Sequence, residues 1–142
     1  MFEEIIPSFV LLAICVCIHA IGLTGMTRRL IYKKARLHST FMRQTWILIG
    51  VAWSLIVLHT LEIGVWAIFY YWKGCLADAE TAFYFSGVTY ATVGYGDVVL
   101  PQGWRMLSLF EGLTGILMCG LSTAFFFAVI LRMLAPEADK EL

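Results

Sequence analysis

The chain has 142 residues, 61% of them hydrophobic and 14% charged, with a mean hydropathy of +0.83. Soluble domains run about 45–50% apolar and about 25% charged, and disordered chains are poor in apolar residues, so the composition excludes both classes. Ten basic and ten acidic residues cancel, which leaves no overall field to gather nucleic acid and points to a small all-α membrane protein.

Three apolar stretches are each long enough to cross a bilayer, which takes about 20 helical residues. The first, residues 5–25, carries no charge and one histidine, His19. Its start, with Glu3 and Glu4, lacks the positive region of a signal peptide, so it reads as a retained span. Arg28, Arg29, Lys33, Lys34, Arg36 and Arg43 follow with no acidic residue among them. Basic flanks of this kind stay cytoplasmic. That puts the N-terminus outside, the C-terminus inside, and residues 73–105 outside or re-entrant. The same cations would attract anionic lipid headgroups.

The second span, residues 46–72, is interrupted only by His59 and Glu62, and the third, residues 106–131, only by Glu111. Ionisable groups inside a span are costly and face the bundle interior, which makes these three functional candidates. His59 and Glu62 share a helix face, so His59 is either neutral or paired with Glu62. By helical rise, Glu62 lies about 15 Å from the end of its span and Glu111 about 9 Å into the next. Both are then level with the segment joining the two spans, where they either sense pH or brace that segment by accepting hydrogen bonds.

Cys15, Cys17 and Cys119 lie within apolar runs and Cys75 stands alone, a pattern without a disulfide framework. Cys15 and His19 share a helix face and, with Cys17, His59 and Glu62, make a conceivable metal set, but one without fixed ligand spacing. No enzyme and no organic cofactor is expected.

Residues 78–90 read as a short helix: Asp78 suits the cap, Glu80 the first turn, and apolar residues follow. At about 20 Å it is too short to span and is a re-entrant candidate. Irregular backbone after it, at membrane depth, is tolerated where it lines a water-filled cavity. The sequence there is Thr92, Val93, Gly94, Tyr95, Gly96, Asp97. Aiming several consecutive carbonyls to one side of an extended chain needs alternating left- and right-handed backbone, which Gly94 and Gly96 adopt without a Cβ penalty. The Thr92 hydroxyl adds an oxygen, the side chains of Val93 and Tyr95 are expected to pack back on Tyr84 and Phe85, and the carboxyl end of the short helix favours a cation.

This string, set between a span with a short helix and a further span, resembles the selectivity filter of the potassium channels, whose carbonyls replace the hydration shell of the ion. The resemblance covers residues 46–135 as a pore unit of outer helix, pore helix, filter and inner helix. It leaves residues 1–45 as an added N-terminal span with a basic loop, and residues 136–142 as a short cytoplasmic tail. It implies a four-fold symmetric homotetramer in a membrane, that of a bacterium by the small size of the unit. K⁺ would be the permeant ion, coordinated by Thr92, Val93, Gly94 and Tyr95, with Gly96 and Asp97 shaping the outer mouth near Trp104 and Arg105. The chain departs from the family pattern at Ala91, often a second threonine, at Tyr84 and Phe85, often a tryptophan pair, and at Val88, where some members place a glutamate that bonds the filter aspartate. The inner helix offers Gly115 near the family's hinge position and a stripe through Cys119, Thr123, Phe127 and Leu131 as a cavity face, with Gly115, Thr123 and Phe127 as gating candidates. An arginine repeat of the voltage-sensing kind is missing from the first span. The competing function is the ion-translocating subunit of a larger potassium transporter.

Overall fold

The computed structural model describes residues 2–32 and 40–134. Among them are four α-helices: α1 (Phe2–Tyr32), α2 (Phe41–Trp72), α3 (Ala79–Tyr90) and α4 (Arg105–Leu134), with a 3-10 turn at Gln102–Trp104 leading into α4. The stretches Glu4–Ile31, Phe41–Trp72 and Gln102–Met133 are each long and apolar enough to cross a membrane. The fold is thus all-helical with three candidate spans. α1 and α2 outrun the apolar stretches read from the sequence, because polar residues such as Arg28 and Arg43 continue a helix that an apolar count stops short of. Lys33, Lys34, Arg36 and residues 136–142 lie outside the described residues.

Hydroxyls within the spans are satisfied locally. Thr27, Thr45, Ser54, Thr60, Thr114 and Thr123 each donate to the carbonyl four residues earlier at 2.7–3.1 Å. A hydroxyl bonded to its own helix can face an apolar medium without an orphaned donor. Large apolar side chains such as Ile21, Trp53 and Ile68 point outward and are 64–73% exposed, as suits lipid or protein neighbours rather than water.

The core lies where α1, α2 and α4 close around α3. Cys15, Trp66, Tyr70, Ala82, Phe85 and Leu107 form its buried centre, with the Tyr70 and Phe85 rings edge to face at 5.3 Å. Two glycines permit the closest approaches. A Cβ on Gly22 of α1 would lie 2.8 Å from the δ-carbons of Leu58 on α2, and one on Gly115 of α4 would lie 1.9 Å from the Tyr90 carbonyl oxygen at the end of α3. α1 also caps α4, since Glu4 accepts from the Met106 N–H at 3.3 Å, placing a carboxylate at the positive end of the helix dipole.

Candidate functional site

Helix α3 begins as the sequence indicates, with Asp78 accepting from the Thr81 N–H and hydroxyl, both at 2.8 Å. Those two bonds hold the Asp78 carboxyl below its ordinary range. The other end repeats a device used at the end of α2. There Gly74 has φ +65°, its N–H donates to the Tyr71 carbonyl, and the Cys75 N–H reaches back to Tyr70. At the end of α3, Thr92 N–H donates to Thr89 and Val93 N–H reaches back to Val88, at 2.9 Å each. This is the same Schellman closure, but the left-handed residue is Thr92, with φ +59°. A β-branched residue rarely takes that conformation, and holding it costs of order 1–3 kcal/mol.

The strain lies at the first residue of the motif. Beyond it φ is positive again at Gly94 (+52°) and Gly96 (+79°), and negative at Val93 and Tyr95 between them. The left-handed positions expected at the two glycines are present, and Thr92 adds a third that residue type did not signal. Val93 and Tyr95, expected to pack on Tyr84, Phe85 and neighbours, are 51% and 72% exposed in the single chain. Phe85 meets Tyr70 edge to face, and Tyr84, which has Tyr95 for a neighbour, turns to Asp97. The Tyr84 hydroxyl donates to Asp97 at 2.7 Å, which lowers the Asp97 carboxyl and raises the Tyr84 phenol from their ordinary values. Tyr84 thus holds the aspartate from the α3 side, where Val88 offers no carboxyl. Of the neighbours expected for Asp97, Trp104 stacks edge to face on Phe69 at 6.2 Å, and Arg105 donates to the Leu100 carbonyl at 3.2 Å.

Of the gating candidates, Gly115 makes the close contact with Tyr90 described above, whereas Thr123 bonds its own helix and Phe127 is 59% exposed. A groove of about 660 Å³ runs between the motif and α4, lined by Thr89, Thr92, Tyr95, Leu113 and Ile116 among others.

Behind the motif the three buried ionisable candidates fall into two polar clusters. Glu111 is fully buried. It accepts from the Tyr70 hydroxyl at 2.7 Å and contacts the Ser86 hydroxyl, which also lies 2.9 Å from the Ile63 carbonyl. Glu62, equally buried, is held by His19 Nδ1 at 2.8 Å and by the Tyr90 hydroxyl. His59 Nδ1 lies 3.7 Å from Glu62, within ion-pair reach as their shared face allowed, and also bonds Tyr90, at 2.9 Å. Ser122 of α4 then joins the Nε2 atoms of His19 and His59, at 3.3 and 3.0 Å. Both glutamates therefore reach α3, through its Ser86 and Tyr90 side chains. His19, Tyr70, Ser86, Tyr90 and Ser122 were not legible as partners, since each looks unremarkable on its own helix. A lone histidine in an otherwise uncharged span was the one available signal.

Donor atoms of His19, His59 and Glu62 lie within 4.8 Å of one another, while Cys15 and Cys17 stand outside that set. Both nitrogens of both rings already have hydrogen-bonding neighbours. A metal ion would have to displace those contacts, so the donor set fits a hydrogen-bonded network better than a metal.

A family model described as "Ion channel" matches residues 56–132, which is more than half of the chain and takes in α3, the motif and most of α2 and α4. No curated protein and no solved structure matches the chain.

Proposed function

The chain belongs to the ion channel family, and from that premise we propose that it conducts potassium, four copies surrounding one axis and each contributing Thr92, Val93, Gly94 and Tyr95 to a filter. The observation that carries this reading is the alternation of φ sign over residues 92–96 at the end of a capped, 12-residue helix. Alternating left- and right-handed residues turn successive carbonyls to the same side, and a row of carbonyls suits a dehydrated monovalent cation. One chain supplies a single row, so a closed ring of oxygens needs further copies. The exposed Val93 and Tyr95 side chains and the open groove beside them are surfaces a neighbouring copy would cover. In this reading the N-terminus is outside, the C-terminus and the basic loop are cytoplasmic, and the loop meets anionic lipid in the bacterial plasma membrane.

The test is flux through the purified chain alone in liposomes. Potassium and rubidium should pass far better than sodium, with barium blocking from the inner side, and the protein should run as a tetramer. Equal sodium and potassium permeability in a fully assembled sample would overturn the reading. Flux without any added subunit would also set aside the transporter-subunit alternative.

A further inference from the structure

The cluster around Glu62 is a closed ring: His19 to Glu62, Glu62 to Tyr90, Tyr90 to His59, His59 to Ser122, and Ser122 back to His19. It takes one member from α1, two from α2 and one each from α3 and α4, so it ties the added N-terminal helix to the start of the motif. Each of its five contacts needs a hydrogen between the two heavy atoms. The hydroxyls of Tyr90 and Ser122 supply one apiece, a neutral imidazole supplies one, and an ionised carboxylate supplies none. An ionised Glu62 with two neutral histidines therefore brings four hydrogens to five contacts. Ser122 Oγ would then face one Nε2 lone pair to lone pair, and the ring would hold an uncompensated negative charge in the interior.

We propose that the ring carries a fifth proton, as one imidazolium shared by His19 and His59 through Ser122, and that this proton clamps α1 to the pore unit. With the proton on His19, Nδ1–H donates to Glu62 and Nε2–H to Ser122, whose hydroxyl donates to His59 Nε2. His59 Nδ1–H donates to Tyr90, and Tyr90 to Glu62. Turning the Ser122 hydroxyl around and moving the proton to His59 leaves every contact filled. Either way the imidazolium cancels the carboxylate, and the five contacts have five hydrogens.

The other titratable groups facing the ring are Cys15 on α1, one turn from His19, and Cys119 on α4, with Glu111 farther along α4. None of these can be cationic, and among the described residues Glu62 has ion-pair contacts only with the two histidines. With Glu62 ionised, the balancing charge therefore comes from within the ring. Raising the pH removes the fifth proton, leaves one contact empty and exposes the Glu62 charge. The clamp is thus present while the ring is protonated and is lost as pH rises. Tyr90 both belongs to the ring and presents its carbonyl to Gly115, so release of the clamp is felt where α3 meets the motif and α4.

The same hydrogen count yields a sharp variant. In Glu62→Gln the amide donates to Tyr90 and accepts from His19, Tyr90 donates to His59 Nδ1, His59 Nε2–H donates to Ser122, and Ser122 donates to His19 Nε2. Five contacts are filled with both histidines neutral. The experiment is nitrogen NMR of the ¹⁵N-histidine-labelled full chain in lipid, in a His38→Gln background that leaves two histidines, run beside thermal melting across pH 5–9. Wild type should show one imidazolium per chain and a melting temperature that falls as pH rises above the range in which an unfolded imidazole titrates. E62Q should show two neutral rings and a melting temperature that rises as the unfolded imidazoles lose their protons and does not fall above that range. Ser122→Thr, which keeps the hydroxyl, should behave as wild type, and Ser122→Ala should lose the imidazolium at lower pH. Two neutral histidines in wild type where it is most stable, or an imidazolium that survives in E62Q, would overturn the proposal. These readouts do not involve conduction, so they stand or fall separately from potassium selectivity. Only a final arm rests on that reading: flux that depends on pH in wild type and not in E62Q.

Discussion

Substituting Gly115 by alanine tests the packing that fixes the end of α3 against α4. The added Cβ would sit 1.9 Å from the Tyr90 carbonyl oxygen and 2.8 Å from its carbon. Ordinary contact begins near 3.4 Å, so α4 and the end of α3 would have to separate by roughly 1.5 Å, and both are backbone rather than a yielding side chain. Overpacking of this kind costs about 1–3 kcal/mol. Alanine recovers about 0.5–1 kcal/mol of helix propensity, leaving a net loss of about 1–2 kcal/mol in each chain. Gly112, one turn earlier on the same helix, is the control, because its Cβ would lie 3.7 Å from the Thr89 carbonyl, a comfortable distance. G115A should melt several degrees below wild type and lose ion selectivity, while G112A should match wild type or exceed it slightly. If Gly115 serves only as a hinge, G115A will change open probability and leave melting untouched. Equal melting of G115A and G112A would refute the close approach of α4 to Tyr90.

Gly94→Ala should abolish selective flux, since a Cβ at φ +52° is strained by about 1–2 kcal/mol in every copy; rubidium uptake measures it. Thr92→Gly should relieve the strained helix end and raise the melting temperature while lowering selectivity, because the threonine hydroxyl is lost; melting and flux on one preparation separate the two effects. Tyr84→Phe removes the bond that lowers the Asp97 carboxyl, so Asp97 should titrate closer to its ordinary 3.8. A lowered carboxyl stabilises above its ordinary range and ceases to do so as pH falls through its own value. Y84F should therefore lose sustained conduction at a higher pH than wild type during acidification. External labelling should modify a cysteine placed at Glu3 and spare one at Lys140, and the reverse pattern would overturn the orientation drawn from the basic loop.

Much of the architecture was written locally. Apolar runs of span length, the Asp78 cap and the glycines of the motif act through neighbours a few residues away, so three spans, a short helix and a bent segment could be read in order from the chain. The two glycines of the motif likewise announced their backbone, because left-handed φ is a property of residue type. Where residue type misled, at Thr92, the cause was a helix closure that puts its φ at +59° despite the branched side chain.

The buried polar residues are the opposite case. Sequence marked His59, Glu62 and Glu111 as too costly to be idle in a span, and spacing suggested that His59 would hold Glu62. That contact is present at 3.7 Å, but the shorter one comes from His19, 43 residues away on α1, at 2.8 Å. Hydrogen-bonding capacity belongs to a residue, whereas its satisfaction depends on which helices meet at one depth. Tyr90, Ser122, Tyr70 and Ser86 acquire their roles only when α1, α2, α3 and α4 are packed. Gly115 likewise shows its reason only once a carbonyl from α3 lies against it. The sequence by itself determined which segments are long and apolar enough to cross a membrane and which one bends. Only the tertiary structure decided how the charges left inside are matched, because such partners are set by distance in space and not by spacing along the chain.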